Sequence, residues 1–321
     1  MTRVMFNRMV TDEQKSRLTK DFPEVDFVFT DSVADPKLLA SEGAKSDVLV
    51  GVESPDLLNA ILSVPNQVRW LHSWFAGVNH LPLDLLEEHH VWLTRAGGVA
   101  VNPIVETTIC LMIMLTRNFR KYGKQQDAHQ WIQLEWPDEV HGKTIGILGM
   151  GIIGKGIAKM AKAFDMEVWG LQQFPQPNEY TDHIVGNDEL DKLLNAADYV
   201  VNILPLTAAT KYLMNEERFN QMKKGAYYLN VGRGATTDTQ ALIEALQSGK
   251  IKGAGLDVID VEPLPPDSPL WDMDQVIILA HQAGFTTQYD ERTLQLFERN
   301  LRNYLEKGKP NENLVNLEAG Y

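Results

Sequence analysis

Short apolar runs alternate with helix-period segments along almost the whole chain. The early runs are RVMF (Arg3–Phe6), VDFVF (Val25–Phe29), DVLVG (Asp47–Gly51), VRWLHSW (Val68–Trp74) and VWLT (Val91–Thr94). Polar-rich stretches of helical length, such as TDEQKSRLTKDF and SPDLLNAILS, lie between them. This alternation predicts parallel strands joined by crossover helices, an α/β layer fold. A long helix is predicted from about Asn102 to Trp131, with Asn102 as its cap and Pro103 at the first helical position. After the loop EWPDEVHGK the alternation restarts. Six strands are expected there: Thr144–Gly149, Glu167–Leu171, Asp198–Leu204, Ala226–Gly232, Gly253–Val258 and Val276–Ala280. The last helix, from about Thr286 to Lys307, carries Leu294, Phe297, Leu301 and Tyr304 on one face. With the preceding sheet already complete, this helix is expected to return onto the first domain.

The sharpest local signal is GKTIGILGMGIIGKGIA, in which Gly149, Gly151 and Gly154 form G-x-G-x-x-G between a strand and a helix. The first glycine permits the tight turn. The second lets the backbone approach a pyrophosphate, and the third lets helix and strand pack closely. The helix N-terminus then offers unpaired N–H groups to phosphate oxygens. A dinucleotide cofactor is the expectation. The strand that should carry the ribose-binding acid reads EVWGLQQF, with Gln172 where Asp or Glu would stand. Glutamine neither repels a 2′-phosphate nor binds it as arginine would, so NAD and NADP both remain open.

Three further groups fall at successive strand ends: Arg233 in NVGRGATTD, Glu262 in LDVIDVEPLPP and His281 in VIILAHQAG. In an open parallel sheet such ends converge on one crevice. Arginine can grip a carboxylate and polarise the adjacent carbonyl. Histidine can move the proton that accompanies hydride transfer, and glutamate can bond the other ring nitrogen and orient it. Taken singly, each residue has an ordinary structural role open to it; three compatible groups at three strand ends point to an oxidoreductase site.

Composition narrows the partners. The chain has 321 residues, enough for two domains with their own cores. Thirty Lys and Arg against 43 Asp and Glu give a net charge of −13, unfavourable for nucleic acid or acidic lipid. Cys110 is the single cysteine, so neither an intrachain disulfide nor a thiolate metal cluster is expected, and it reads as a small buried hydrophobe. The apolar run Thr107–Thr116 is far too short to span a bilayer, and the N-terminus has no signal-peptide h-region. A soluble cytoplasmic protein without a metal is the expectation.

GMGIIGKGIA, LPLTAATKYLMN, NVGRG, DVIDVEP and HQAG, in this order, resemble the D-isomer-specific 2-hydroxyacid dehydrogenase family. LHSWFAGVNHL resembles its substrate loop and NPIVETTICLMI its interdomain helix, so the resemblance covers nearly the whole chain. It is to the short form, similar to glyoxylate/hydroxypyruvate reductases and to phosphoglycerate dehydrogenase-like proteins without a regulatory domain. It implies two doubly wound domains, a Rossmann cofactor domain at 102–284 inserted into a flavodoxin-like substrate domain at 1–101 and 285–321. It implies a homodimer that acts on a small 2-keto or 2-hydroxy acid. Arg233 would anchor the substrate, His281 would be the acid/base and Glu262 its partner, with backbone N–H groups of Gly77 and Val78 on the substrate carboxylate. The cofactor would meet Gly149, Met150, Gly151, Ile152, Ile153 and Gly154 in the glycine loop, and Gln172 at the ribose. Leu204, Pro205, Thr210, Val231, Gly232, Asp257 and Gly284 would line the rest, Asp257 near the nicotinamide carboxamide.

Three features depart from the family pattern: Gln172, Ala280 in place of a proline before the histidine, and the bulky Trp74 and Phe75 beside the substrate turn. Two other readings fit the fold. Formate oxidation is disfavoured by a carboxylate at Glu262, where that branch has glutamine. A dinucleotide-sensing, corepressor-like binding protein can keep all three polar residues.

Overall fold

The computed structural model describes residues 1–317. The chain divides into two compact units, one formed by Met1–Ala100 together with the chain from Thr286 onward, the other by Val101–Phe285.

The first unit holds β1 (Thr2–Phe6), β2 (Val25–Phe29), β3 (Val48–Val50), β4 (Trp70–His72) and β5 (Trp92–Thr94), all parallel, in the order β2-β1-β3-β4-β5. This is the flavodoxin-like order. Its crossover helices α1 (Asp12–Asp21), α2 (Pro36–Ala44), α3 (Pro55–Leu62) and α4 (Leu83–Glu88) start where the sequence supplies caps. Thr11 and Gln14 form a reciprocal capping box before α1; Asp35 and Ser54 cap α2 and α3, each followed by proline. One sheet face is covered by the last helix of the chain, Tyr289–Lys307, whose Leu294, Phe297 and Leu301 pack with Phe6, Trp70 and Trp74. Trp74 is fully buried in that cluster, so it is core, whereas Phe75 is exposed.

The second unit opens with α5 (Val101–Thr116) and α6 (Phe119–Asp127), where a single helix to Trp131 was expected. Asn118 breaks it by adopting a left-handed conformation (φ 59°), which asparagine tolerates better than most residues. The helix begins one residue before its expected cap, which leaves Pro103 in the first turn, where no intrahelical donor is lost. Cys110 lies on the exposed side of α5, contrary to the buried reading. The buried stripe runs through Val105, Ile109, Met112 and Leu115, and Cys110 falls outside it.

The sheet of this unit has seven parallel strands rather than six: β6 (Thr144–Leu148), β7 (Glu167–Leu171), β8 (His183–Val185), β9 (Tyr199–Asn202), β10 (Ala226–Asn230), β11 (Ile251–Leu256) and β12 (Val276–Ile278). The order β12-β11-β10-β9-β6-β7-β8 is the doubly wound nucleotide-binding order with one strand added at the far edge. The strand missing from the sequence reading is β8, whose short run HIV has one exposed polar residue in three. Arg233, Glu262 and His281 therefore follow the fifth, sixth and seventh strands. On one face α5 and α7 (Ile152–Lys162) contribute Val105, Met112, Ile157 and Ala161 to the core. On the other, α8 (Leu190–Ala196), α9 (Glu216–Gln221) and α10 (Thr239–Gln247) contribute Leu193, Leu194, Phe219, Leu242 and Leu246. The terminal helix of the first unit is α11. Among the described residues no helix is long and apolar enough to cross a membrane.

Candidate active site

The reversal of strand order between β6 and β9 leaves a crevice at the carboxyl ends of the second sheet, and the glycine loop enters there. Gly149 turns at φ 113°, a conformation strained for any L side chain, and a Cβ at Gly154 would lie 2.3 Å from Gly149 O. A Cβ at Gly151 would meet nothing within 4 Å. No side chain caps α7, so the orphan N–H groups of its first turn open onto that free space. An uncapped 11-residue helix behind an open glycine fits a pyrophosphate. Ile152 is exposed at the mouth and Ile153 packs into the core. Met150 is buried and its N–H, like that of Gly149, is spent on Leu171 O.

Gln172 directly follows β7. Its Oε1 accepts from Gln176 N at 3.2 Å, which leaves the amide N–H₂ as its free end. Beyond β9, Leu204 N donates to Asn202 Oδ1 at 3.1 Å, and Thr210 Oγ1 donates to Pro205 O at 2.6 Å, closing the LPLT loop on itself. Val231 and Gly232 are buried at the end of β10.

Arg233 is partly buried. Its Nη1 donates to Gly232 O at 2.8 Å, and among the described residues it joins no carboxylate in an ion pair. Burial pushes its pKa below the usual arginine value, and the charge of Glu262 works in the opposite direction. Glu262 lies in the loop after β11. Its Oε1 accepts from Ile259 N at 3.1 Å, and its Oε2 stands 2.8 Å from His281 Nδ1. The carboxylate only accepts, so Nδ1 carries hydrogen and Nε2 is the outward nitrogen. Asp257 is buried and organises the same turn. Its Oδ1 accepts from Gln282 N (2.8 Å) and Ala283 N (3.0 Å), and its carbonyl from His281 N (2.9 Å). Gly284 completes this turn. A cleft of about 460 Å³ lies beside them, lined by Asp257, Glu262, Leu264, Trp271, Ile278 and His281.

Two buried asparagines were missed in the sequence. Asn230, the last residue of β10, accepts from Gly232 N (3.1 Å) and donates to Arg233 O (3.3 Å) and Thr237 Oγ1 (3.0 Å). Asn202 donates to Thr236 Oγ1 at 2.9 Å, and that hydroxyl donates to Arg233 O at 2.6 Å. Together they hold the turn that presents Arg233. The signal was present: an amide ending a strand of otherwise buried apolar residues needs partners, and the nearest are the turn that follows. Gly77 and Val78 belong to the first unit, in the loop after β4. Val78 is buried, and neither residue's N–H donates to a protein group among the described residues.

A doubly wound sheet with this loop, and with Arg, Glu and His at the neighbouring strand ends, defines a nicotinamide-dependent oxidoreductase. The chain belongs to the D-isomer specific 2-hydroxyacid dehydrogenase family, whose NAD binding domain model matches residues 109–283. It is 33% identical over 299 residues to a glyoxylate reductase of Thermofilum pendens, covering 86% of each chain. Among solved structures it resembles a D-isomer specific 2-hydroxyacid dehydrogenase family protein from Aeromonas salmonicida, with a TM-score of 0.84 and 29% identity over 98% of this chain and 99% of that one. It also resembles an NADPH-dependent glyoxylate/hydroxypyruvate reductase from Sinorhizobium meliloti, solved with NADP and sulfate, with a TM-score of 0.82 and 26% identity over the whole of both chains. The cofactor is accordingly NAD or NADP.

Proposed function

We propose that the protein transfers a hydride between NAD(P)H and a small 2-keto acid / D-2-hydroxy acid pair of the glyoxylate, hydroxypyruvate, pyruvate or phosphoglycerate-like class, read here in the reducing direction. The observation that carries this reading is the 2.8 Å pair of His281 Nδ1 with Glu262 Oε2, beside an arginine that feels the charge of Glu262 and, among the described residues, pairs with no carboxylate. The dihydronicotinamide, when bound, supplies the hydride for the carbonyl carbon. His281 Nε2–H delivers the proton to the carbonyl oxygen as it becomes a hydroxyl, and takes it back in the oxidation direction. Glu262 fixes the tautomer and stabilises the charged ring. Arg233 holds the substrate carboxylate and polarises the carbonyl; having no ion pair of its own, it keeps most of its donors for the ligand. In the first unit, the N–H groups of Gly77 and Val78, which meet no protein acceptor among the described residues, are assigned to a substrate carboxylate. A homodimer formed through the exposed segment after α6 completes the proposal, since Trp131, Ile132 and Trp136 stand open to solvent there.

Turnover of NADH and NADPH with glyoxylate, hydroxypyruvate and pyruvate is the test. Reduction of any of them at a catalytic rate supports the reading. Tight dinucleotide binding with no turnover on any 2-keto acid would replace it with the dinucleotide-sensing one.

A further inference from the structure

The loop Ser73–His80 follows β4 at the carboxyl edge of the first sheet, and its hydrogen bonding is one-sided. Trp74 O accepts from Tyr289 Oη (3.1 Å), Phe75 O from Ala96 N (3.0 Å) and Ala76 O from Arg95 Nη1 (3.0 Å). With these carbonyls occupied and the Gly77 and Val78 N–H groups left over, the loop presents consecutive donors, a setting that suits an anion.

One carboxylate ties the loop at both ends. Glu53 stands three residues beyond β3 with its side chain largely covered. Its Oε1 accepts from Trp74 N (2.6 Å) and Ser73 Oγ (3.0 Å). Its Oε2 lies 3.1 Å from the same hydroxyl and accepts from His80 Nε2 at 2.9 Å. Ser73 Oγ in turn accepts from Phe75 N at 3.2 Å. Trp74 Nε1 adds a separate tether to Asp290 Oδ1 at 2.7 Å, which fixes the buried indole but not the chain beyond Phe75. Among Glu53's bonds to the described residues, the one to His80 alone reaches past Gly77 and Val78, where the buried Val78 and Leu81 side chains add a packing anchor.

We propose that Glu53 is the positioning residue of the substrate loop: by gripping Ser73–Trp74 and His80 together, it holds the Gly77 and Val78 N–H groups still for the carboxylate of the 2-keto acid. This rests on the reading above in one respect, that these donors meet the substrate. Glu53 itself touches no reacting atom. A negative charge so near an anion seat would repel the ligand if it were bare; here the Ser73, Trp74 and His80 donors absorb it.

The test uses Glu53→Leu, Glu53→Gln and His80→Phe in the full chain, with NADPH binding, kcat and KM for the 2-keto acid, and amide relaxation of Gly77 and Val78. Glu53→Leu should loosen both amides and raise KM about tenfold, the scale of one charge-assisted hydrogen bond. Because the lost contact acts equally on bound substrate and transition state, kcat and NADPH affinity should stay near parental. Glu53→Gln, still an acceptor for Trp74 N, should recover most of the loss. His80→Phe, at a surface position, should raise KM by roughly threefold and decides the matter if Glu53→Leu does not fold. Ordered amides with parental KM in His80→Phe or in folded Glu53→Leu would overturn the proposal. So would a loss shared equally by KM, kcat and NADPH affinity, since that marks a general structural role. If the parent reduces no 2-keto acid, the reaction assignment fails and takes the substrate half of this proposal with it. The clamp is then judged alone, by whether the amides loosen.

Discussion

His281 has a left-handed backbone (φ 55°), uncommon for a side chain of its size, and it persists because neighbours impose it. Asp257 accepts from three successive N–H groups across the turn and Glu262 fixes the ring, so the imidazole is aimed before any ligand arrives. His281→Gln should leave NADPH affinity near parental and lower turnover by about 10²–10⁴-fold, the range for a positioned acid/base. A variant that turned over normally would remove His281 from the chemistry. His72 shows the opposite environment. Trp70 Nε1 donates to Thr94 Oγ1 (2.8 Å), so that hydroxyl's own hydrogen goes to His72 Nδ1 (2.7 Å) and Nε2 carries the ring hydrogen without a partner. Full burial pushes its pKa down to about 3. The unfolded chain, with a histidine near the ordinary value, binds the extra proton first. Stability is therefore complete above about pH 6.5 and lost as pH falls toward 3, by about 2 kcal/mol at pH 5. Denaturant titrations of the parent at pH 7 and 5, against His72→Leu, measure it. The variant should be less stable at pH 7 yet lose less between the two; equal losses would show that other groups set the acid limit. Sequence alone singled out His281, at a strand end within HQAG, and passed over His72, whose distinction is the burial that packing gives it.

The glycine loop is the element whose structure was most legible, since each glycine answers a local steric demand. Two substitutions separate those demands. Gly154→Ala drives a methyl into Gly149 O and should cost stability, typically about 1–3 kcal/mol for overpacking. Gly151→Val meets open space in an ordinary extended conformation, so the melting temperature should stay near parental while dinucleotide affinity falls. Thermal melts with and without NADPH distinguish them; unaltered binding in Gly151→Val would move the pyrophosphate elsewhere. The neighbouring element end carries the proposed test of cofactor choice. With Oε1 already accepting from Gln176 N, the Gln172 amide N–H₂ can donate to a ribose hydroxyl or to a 2′-phosphate. Both cofactors should therefore work in the parent. Gln172→Asp, which adds an acceptor and a repelling charge, should shift kcat/KM toward NADH by roughly 1–3 kcal/mol. A parent already strict for one cofactor would mean that the following FPQPNEY segment sets the choice. Other elements were poorly legible for physical reasons. The edge strand β8 is three residues long with one exposed polar residue, so neither period nor length marks it. The α5–α6 break depends on one residue's backbone, which hydrophobic periodicity cannot register.

At the scale of the whole molecule, charge and exposed aromatic surface bear on assembly. Each chain carries a net charge of −13, so two copies repel at long range and need an apolar contact to stay together. The proposed contact is the segment after α6, with Trp131 99% and Trp136 100% exposed around a groove that also takes in Tyr122, Ile132 and Leu134. Exposed tryptophans so close together are unusual on a monomer, and a two-fold contact would let the same patch cover itself. The two forces respond oppositely to salt. Screening at about 0.15 M shortens the reach of the repulsion to roughly 8 Å and leaves apolar burial intact. Association should therefore tighten from low to physiological ionic strength. Sedimentation equilibrium of the parent should give a dimer whose dissociation constant falls as salt is added. Trp131→Glu combined with Trp136→Glu should give a monomer with an unchanged melting profile for its cofactor unit. A parent that sediments as a monomer at all salt concentrations would reject the dimer. One that dissociates as salt rises would show that ion pairs, and not this aromatic surface, hold the copies together.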